Sequence, residues 1–494
     1  MTTGTPSRTA ASSVGRRLLD LAERDPSKPA VTSRNRTHGW HTLTRSQLCE
    51  RVRNAADVLR TTVGPDEHRV VIDLPNGHEF VVAVLAAWWT GRTPVVIPPG
   101  ATGEERAALF QDAPHAVPAV SFSDGPLRTA LSEPTARSQG PEPAVEAPEA
   151  WRLPSGGSTG LPRLVPAVGS ALTVLSSQQL LLSAVGWSPG GVQLVVGPLF
   201  HAAPFISAFG GLVAGDHLVL PDRFAPAVLA AGMERFPPQW CQLTPHQMQL
   251  LAADPKLAAL LCRDLRALMH TAAPCPEDVK RDWIARVGGD RLHEMYGATQ
   301  MIGVAVCNGT QWLQRPGTVG RPFMTQVRIL GRNGRRLPPG QQGEVVMRSA
   351  VTRRLPATLA ARMRRHAGGF HSVGDLGYLD AEGYLFLTDR LDDVIIVGGA
   401  NVSAREVENA LRKHPKVRDV VVTGRPHAVL GQAVHATVAC DQAQSVTLRE
   451  VRDHCGGLLA AHKVPVTVEV LHELARSRSG KVERFRYTLK DTGP

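Results

Sequence analysis

Lysine is the residue this chain has least use for among the charged types. Of its 55 basic residues only 8 are lysine and 47 are arginine. A lysine inside a motif is therefore harder to ascribe to composition than an arginine. Cysteine is also sparse: seven residues, an odd number, scattered from Cys49 to Cys455 with no C-x-x-C pair. That pattern excludes a disulfide framework and the usual zinc spacings, and it fits a reducing, cytoplasmic setting. Long apolar runs are missing too. The richest, FVVAVLAAWW, falls well short of the ~18 residues a membrane-spanning helix needs. The N-terminal thirty residues hold no apolar core of the secretory kind. Blocks of five or more basic residues and nucleic-acid motifs are absent, so the formal charge of +11 and pI near 9.7 point away from nucleic acid; a surface that tolerates arginine and small polyanionic substrates fit them equally well.

What is present is an ordinary globular composition, 43% apolar and 20% charged over 494 residues. A chain this long splits into at least two domains. Residues 14–24 repeat apolar side chains at helical spacing. HRVVIDLP reads as a buried strand, the apolar stretch through Trp89 as a helix, and TPVVIPPG as a strand. This alternation predicts α/β units around a parallel sheet. From about 121 to 150 Ser, Pro, Ala and Glu dominate, the composition of a loop or weakly structured connector. Strand-like runs return at GVQLVVGPLF, HLVLPD, GEVVMRS and GYLFLTD, with a helical run around LTPHQMQLLAAD. A boundary falls near 390–393. Beyond it the order strand, helix, two strands, helix, strand describes a small α+β unit.

Four segments carry candidate chemistry. SGGSTGLPR, Ser155 to Arg163, sets three glycines among hydroxyl side chains and a cation. Such a run can turn several N–H groups toward one anion, and the composition suits a phosphate chain; ordinary turns use the same residues. It is not the G-x-x-x-x-G-K-[ST] pattern of P-loop proteins. HEMYGATQ, His293 to Gln300, offers an aromatic for base stacking and a threonine for phosphate, or simply a strand end with a turn. In the run from 371 to 408, Asp375 lies between two glycines, where a carboxylate binds a diol or shapes an Asx-turn. Arg390 precedes Asp392 and Asp393, either a functional cation or a surface ion pair of little consequence. Gly398 and Gly399 allow close backbone approach to a ligand or end a strand. SRSGKVERF places Lys481 on a glycine-containing turn, where a lysine is ordinarily solvated surface.

In this order and at these spacings the segments resemble the ANL superfamily of adenylate-forming enzymes, in its AMP-binding acyl-CoA synthetase branch, over residues 14–490. The resemblance implies an α/β fold: a large N-terminal domain of packed α/β sheets with a small β-barrel-like region, then a small mobile α+β C-terminal domain. The expected division is a disordered tail at 1–12, the adenylate-forming domain at 13–390 and the mobile domain at 391–494. It also implies an ATP-dependent acid–thiol ligase using Mg²⁺, with coenzyme A as co-substrate. By the same resemblance Ser155, Gly156, Gly157, Ser158, Thr159, Gly160 and Arg163 wrap the ATP phosphates. Tyr296 lies against adenine, with Gly297 beside it, and Thr299 contacts phosphate. Asp375 and Arg390 bind the ribose side, Asp392 is the hinge, and Lys481 is the catalytic lysine. His201 gates the acyl pocket, and Gly398 and Gly399 flank the pantetheine tunnel.

Two positions depart from the family pattern. Arg163 stands where lysine is usual, which keeps the charge but changes its geometry. Gln300 stands where a glutamate usually holds Mg²⁺; an amide oxygen still coordinates a metal, but hard cations prefer carboxylates. The segments expected around the acid contain no carboxylate to pair with a substrate ammonium, which argues against an amino acid. Ala202, Ala203, Ala273, Ala298 and Gly303 are small, so a bulky apolar or cyclic acid is expected. The alternatives are an enzyme loading the phosphopantetheine of a carrier protein, a ligase with an amine as acceptor, an enzyme left with one half-reaction through Gln300, and a nucleotide binder without catalysis.

Overall fold

The computed structural model describes residues 13–35, 39–111, 121–122, 125–132, 142–155, 163–350, 352, 363–440, 445–476 and 482–488. The expected tail at 1–12, the glycines of the phosphate loop and Lys481 lie outside these residues.

Local chemistry marks out the helices. Val14–Arg24 begins where Ser13 Oγ accepts from Arg16 N–H. Arg45–Thr62 begins at a capping box in which Thr44 and Gln47 satisfy each other's backbone donors. Ala202–Ala214 stops at Gly215, whose φ of 99° is left-handed. His78–Trp89 is apolar all round, and Phe80 through Trp89 are all buried, as expected of a helix enclosed on every side. Its Trp88 ring meets Phe205 and Phe209 edge-on, with centroids 6.1 and 5.2 Å away, and Trp88 Nε1 donates to Ala150 O.

Three sheets result. A four-stranded sheet pairs Arg69–Ile72, Thr93–Val96, Glu149–Pro154 and Leu164–Val168. A fifteen-stranded sheet has a parallel run at its centre: Val192–Leu194, Trp240–Leu243, Ala267–His270 and Leu292–Gly297 are neighbours in that order. It continues as an antiparallel stretch through Val304–Asn308, Thr318–Phe323, Leu385–Arg390 and Asp375–Leu379. The third sheet, of five strands, draws only on residues 394–471 and is covered on one face by Ala404–Leu411 and Leu448–Gly456 around Val402, Val407, Val434 and Val451. The protein is thus mixed α/β, with a large N-terminal domain of sheets and a smaller C-terminal α+β domain.

Two expectations need correction. The connector at 121–150 contains a helix, Gly125–Ser132, because Leu127 and Leu131 bury themselves in the main core; composition hid that pair. The strand expected over GVQLVVGPLF shrinks to Val192–Leu194; Val195 N–H still donates to Val219 O, and beyond it Pro198 cannot donate to the ladder. Among the described residues no helix is long and apolar enough to cross a membrane.

Candidate active site

The four strands at the centre of the long sheet belong to a parallel run that continues through His217–Leu220 and Pro29–Asn35, so their carboxyl ends share one edge. Onto that edge come the loop before His201, the helix Pro245–Ala252, the turn at Thr271 to Ala273, and the turn Ala298 to Met301. Open α/β sheets bind ligands at this edge. His201 is the N-cap residue of Ala202–Ala214, its ring tilted against Phe200 at 4.4 Å. Ala202, Ala203, Ala273 and Ala298 are half-buried. Thr299 and Gln300 are the central residues of a turn closed by Met301 N–H donating to Ala298 O at 2.8 Å, and Met301 itself has φ 53°. Both are half-buried. Gly303 serves another purpose than pocket volume. A Cβ there would stand 2.4 Å from Thr325 Cγ2 and 3.0 Å from Met347 Sδ. The small residue lets two strands close together, and the expectation of space beyond it is corrected.

Where Leu292–Gly297 meets the antiparallel stretch, three site candidates converge. Asp375 and Arg390 face each other in register on adjacent antiparallel strands, with Arg390 Nε 3.6 Å from Asp375 Oδ1. Arg390 is held further by Nη2 donating to Val373 O at 2.8 Å. Tyr296 Oη donates to Asp375 Oδ2, across 79 residues of sequence. Burial first, and then the Asp375 carboxylate, push the Tyr296 phenol well above its ordinary 10. The phenol therefore stays protonated and acts as a donor. The chemistry of this set, a half-buried carboxylate with a guanidinium and a phenol beside it, fits a ribose diol and a purine face.

Ser155 and Arg163 flank the segment expected to bind phosphate. Ser155 N–H donates to Arg163 O at 2.7 Å, and Arg163 N–H donates to Ser155 Oγ at 3.0 Å. These bonds extend the pairing of Glu149–Pro154 with Leu164–Val168 by one residue on each strand; Gly156, Gly157, Ser158, Thr159 and Gly160 lie outside the described residues. Arg476 and Val482, the described residues on either side of 477–481, likewise form an antiparallel bridge. That bridge approaches the large domain: His246, on Pro245–Ala252, has its pKa lowered by burial and by Arg476, with Asp419 and Glu473 acting the other way.

Asp392 is exposed in the short turn Leu391–Asp393 between the domains. Its neighbour Asp393 pairs with Arg484 Nε at 3.4 Å, and Arg484 Nη2 donates to buried Glu408 at 2.7 Å. Sequence reasoning missed this link, since the partners are 76 and 91 positions apart along the chain, 484 − 408 and 484 − 393. Gly398 and Gly399 have φ 55° and 85° and form the two-residue turn joining Val394–Val397 to Ala400–Ser403. Both positive angles are what such a hairpin demands, so the turn alone accounts for the glycines. Among the described residues no group of three His, Cys, Asp or Glu is placed to hold a metal ion. Gln300 offers at most a neutral oxygen.

The model of the AMP-binding enzyme family matches residues 19–354, and that of the AMP-binding enzyme C-terminal domain matches 406–481. Sulfoacetate–CoA ligase of Cupriavidus necator is 31% identical over 350 residues, 70% of this chain and 68% of that protein. Feruloyl-CoA synthase of an Amycolatopsis species is 29% identical over 90% of this chain and 93% of its own length. Among solved structures, ATP-bound MatB from Rhodopseudomonas palustris superposes with a TM-score of 0.82 at 23% identity, covering 96% of this chain and 98% of that one.

Proposed function

The chain belongs to the AMP-binding enzymes, in the acyl-CoA ligase branch of the adenylate-forming ANL superfamily, and we propose that it joins a bulky apolar or cyclic carboxylic acid to coenzyme A through an acyl-adenylate. The observation that carries this reading is the convergence of Tyr296, Asp375 and Arg390 at the edge where the acid-pocket loops also end.

In the first step a carboxylate oxygen attacks the α-phosphorus of ATP, the α–β phosphoanhydride bond breaks, and pyrophosphate leaves. Asp375 accepts from the ribose hydroxyls, Tyr296 lies against the base, and Thr299 meets phosphate. The 156–162 loop, tied at Ser155 and Arg163, holds the departing phosphates. Lys481 stabilises charge between the acid oxygen and the α-phosphate, a preorganised electrostatic role worth several kcal/mol in comparable sites. Mg²⁺, when bound, supplies charge neutralisation to the phosphates; the residues here leave its coordination mainly to phosphate and water. In the second step the small domain turns about Asp392, and the thiol of coenzyme A attacks the acyl carbon, releasing AMP. Gly398 and Gly399 would lie along the pantetheine path. Half-buried Ala202, Ala203, Ala273 and Ala298 support a bulky acid. The absence of a carboxylate in LFHAAPFISAFGG disfavours an amino acid, because a buried ammonium needs a partner.

The test is Mg-ATP with a panel of acids, with and without coenzyme A, reading pyrophosphate and the thioester mass. Acid-dependent pyrophosphate and thioester from ring-bearing acids, both lost in Lys481→Ala, are the expected result. Turnover of acetate-sized acids alone would refute the pocket assignment. Pyrophosphate without thioester would move the acceptor to a carrier protein or an amine. Thioester only from a supplied acyl-adenylate, with adenylation restored in Gln300→Glu, would make Gln300 the mark of an enzyme confined to the second step.

A further inference from the structure

The loop between Val192–Leu194 and Ala202–Ala214 has left the sheet, yet its backbone is tied. Asn76 Nδ2 donates to Gly197 O at 2.9 Å, and Asn76 Oδ1 accepts from Leu199 N–H at 2.8 Å. These two groups flank Pro198. A residue on a neighbouring parallel strand makes the same pair of bonds, to the carbonyl before and the N–H after the residue it faces. One side-chain amide thus replaces a missing strand beside a loop that proline keeps out of the ladder.

The tie continues to His201. His201 N–H donates to Pro198 O at 3.0 Å, and Phe205 N–H donates to His201 O at 3.1 Å. The chain from Gly197 to the first turn of Ala202–Ala214 therefore has its course set by Asn76. Asn76 itself comes from the connection that leaves the other sheet. It follows Arg69–Ile72 and lies two residues ahead of His78–Trp89, whose Trp88 packs on Phe205 and Phe209. The contact spans 121 residues between Asn76 and Gly197, and the aromatic packing behind it fixes both helices, so the amide has one place to point.

We propose that Asn76 is a positioning residue for acid binding: it sets where His201 presents its ring to the carboxylic acid. This rests on the reading of His201 as the gate of the acyl pocket. Asn76→Asp keeps the shape, loses the donor and sets a carboxylate against Gly197 O. Asn76→Ser shortens the reach, and is read in the same way should the aspartate variant fail to fold.

The experiment measures pyrophosphate release with the acid found for the wild type, together with amide exchange over 197–201 and the melting temperature. The expected result is a rise of about tenfold in KM for the acid, the effect of one lost hydrogen bond with its partner left unmet. KM for ATP should change less than twofold, and exchange at Leu199, whose N–H the aspartate still accepts, should quicken in Asn76→Ser. In combination with His201→Ala, the Asn76 substitution should add little, as for two residues acting as one unit. An unchanged KM for the acid, equal rises in both KM values, or full additivity with His201→Ala would each overturn the proposal. If His201→Ala raises KM for the acid and neither Asn76 variant does, this inference alone fails. If His201→Ala leaves it untouched, the reading of the gate fails and the proposal with it.

Discussion

Strand Leu292–Gly297 carries two carboxylate–cation arrangements, and they have opposite characters. At its inner part Glu294 pairs with Lys280, and their side chains are only 10% and 2% exposed. The Lys280 ammonium also sits 4.8 Å from the Trp312 ring centroid. Burial is the largest single influence and by itself would raise the Glu294 pKa, but the Lys280 charge and hydrogen bond, with His270 and Arg405, together outweigh it and hold the carboxyl below its ordinary value. Two residues further on, Tyr296 meets Asp375 and Arg390, whose side chains are 16% and 30% exposed. The inner pair is sealed and holds strand to helix. The outer group is part-exposed, as the proposed nucleotide site requires. The same strand supplies both because one end lies under Glu277–Val287 and the other reaches the carboxyl edge of the sheet.

The sharpest way to break this contrast is Lys280→Met. Removing the cation leaves Glu294 buried and uncompensated, at a cost of about 3–5 kcal/mol. Urea denaturation should show the loss, and a second change, Glu294→Leu, should recover most of it. Asp375→Asn should behave in the opposite way. Its denaturation midpoint should stay near that of the wild type, while KM for ATP rises roughly 10–100-fold, the equivalent of one hydrogen bond to a charged group. A large stability loss in Asp375→Asn would erase the distinction between the two sites.

Acid sharpens the contrast less strongly. His270, on the strand beside Glu294, is fully buried, and burial outweighs Glu294 to lower its pKa to about 4. A depressed folded pKa contributes stability above the unfolded value near 6.5, and that stability fades as pH falls through the window down to about 4. Unfolding measured from pH 7 to 4 should show this slope, and His270→Gln should flatten it. The smallest effect is expected of Tyr296→Phe, which keeps the ring and loses one phenol donor: a rise of about three- to tenfold in KM for ATP, as for an ordinary hydrogen bond, with kcat little changed.

Legibility followed the range over which each feature acts. Tyr296, Asp375 and Arg390 stood out because each sits in a short segment of distinctive order, and the structure joins all three. Gly398 and Gly399 fit either a close approach to a ligand or the end of a strand, and the structure makes them the turn that ends Val394–Val397. The Gly125–Ser132 helix was not legible, because its two buried leucines are set in a connector-like composition. Gly303 misled, since a sequence shows that a side chain is small and not what fills the space beside it.

By itself the sequence determined the helix starts at Ser13 and Thr44, the glycine-bearing turns, the order of the motifs and, through that order, the family. These depend on contacts within a few residues or on a linear pattern. Tertiary structure alone decided that Lys280 neutralises Glu294, that Arg484 ties Asp393 to Glu408, and that Asn76 holds the loop before His201. Each such contact joins residues 14 to 123 positions apart, and it is the burial around them, which no linear pattern displays, that makes one partner rather than another the low-energy choice.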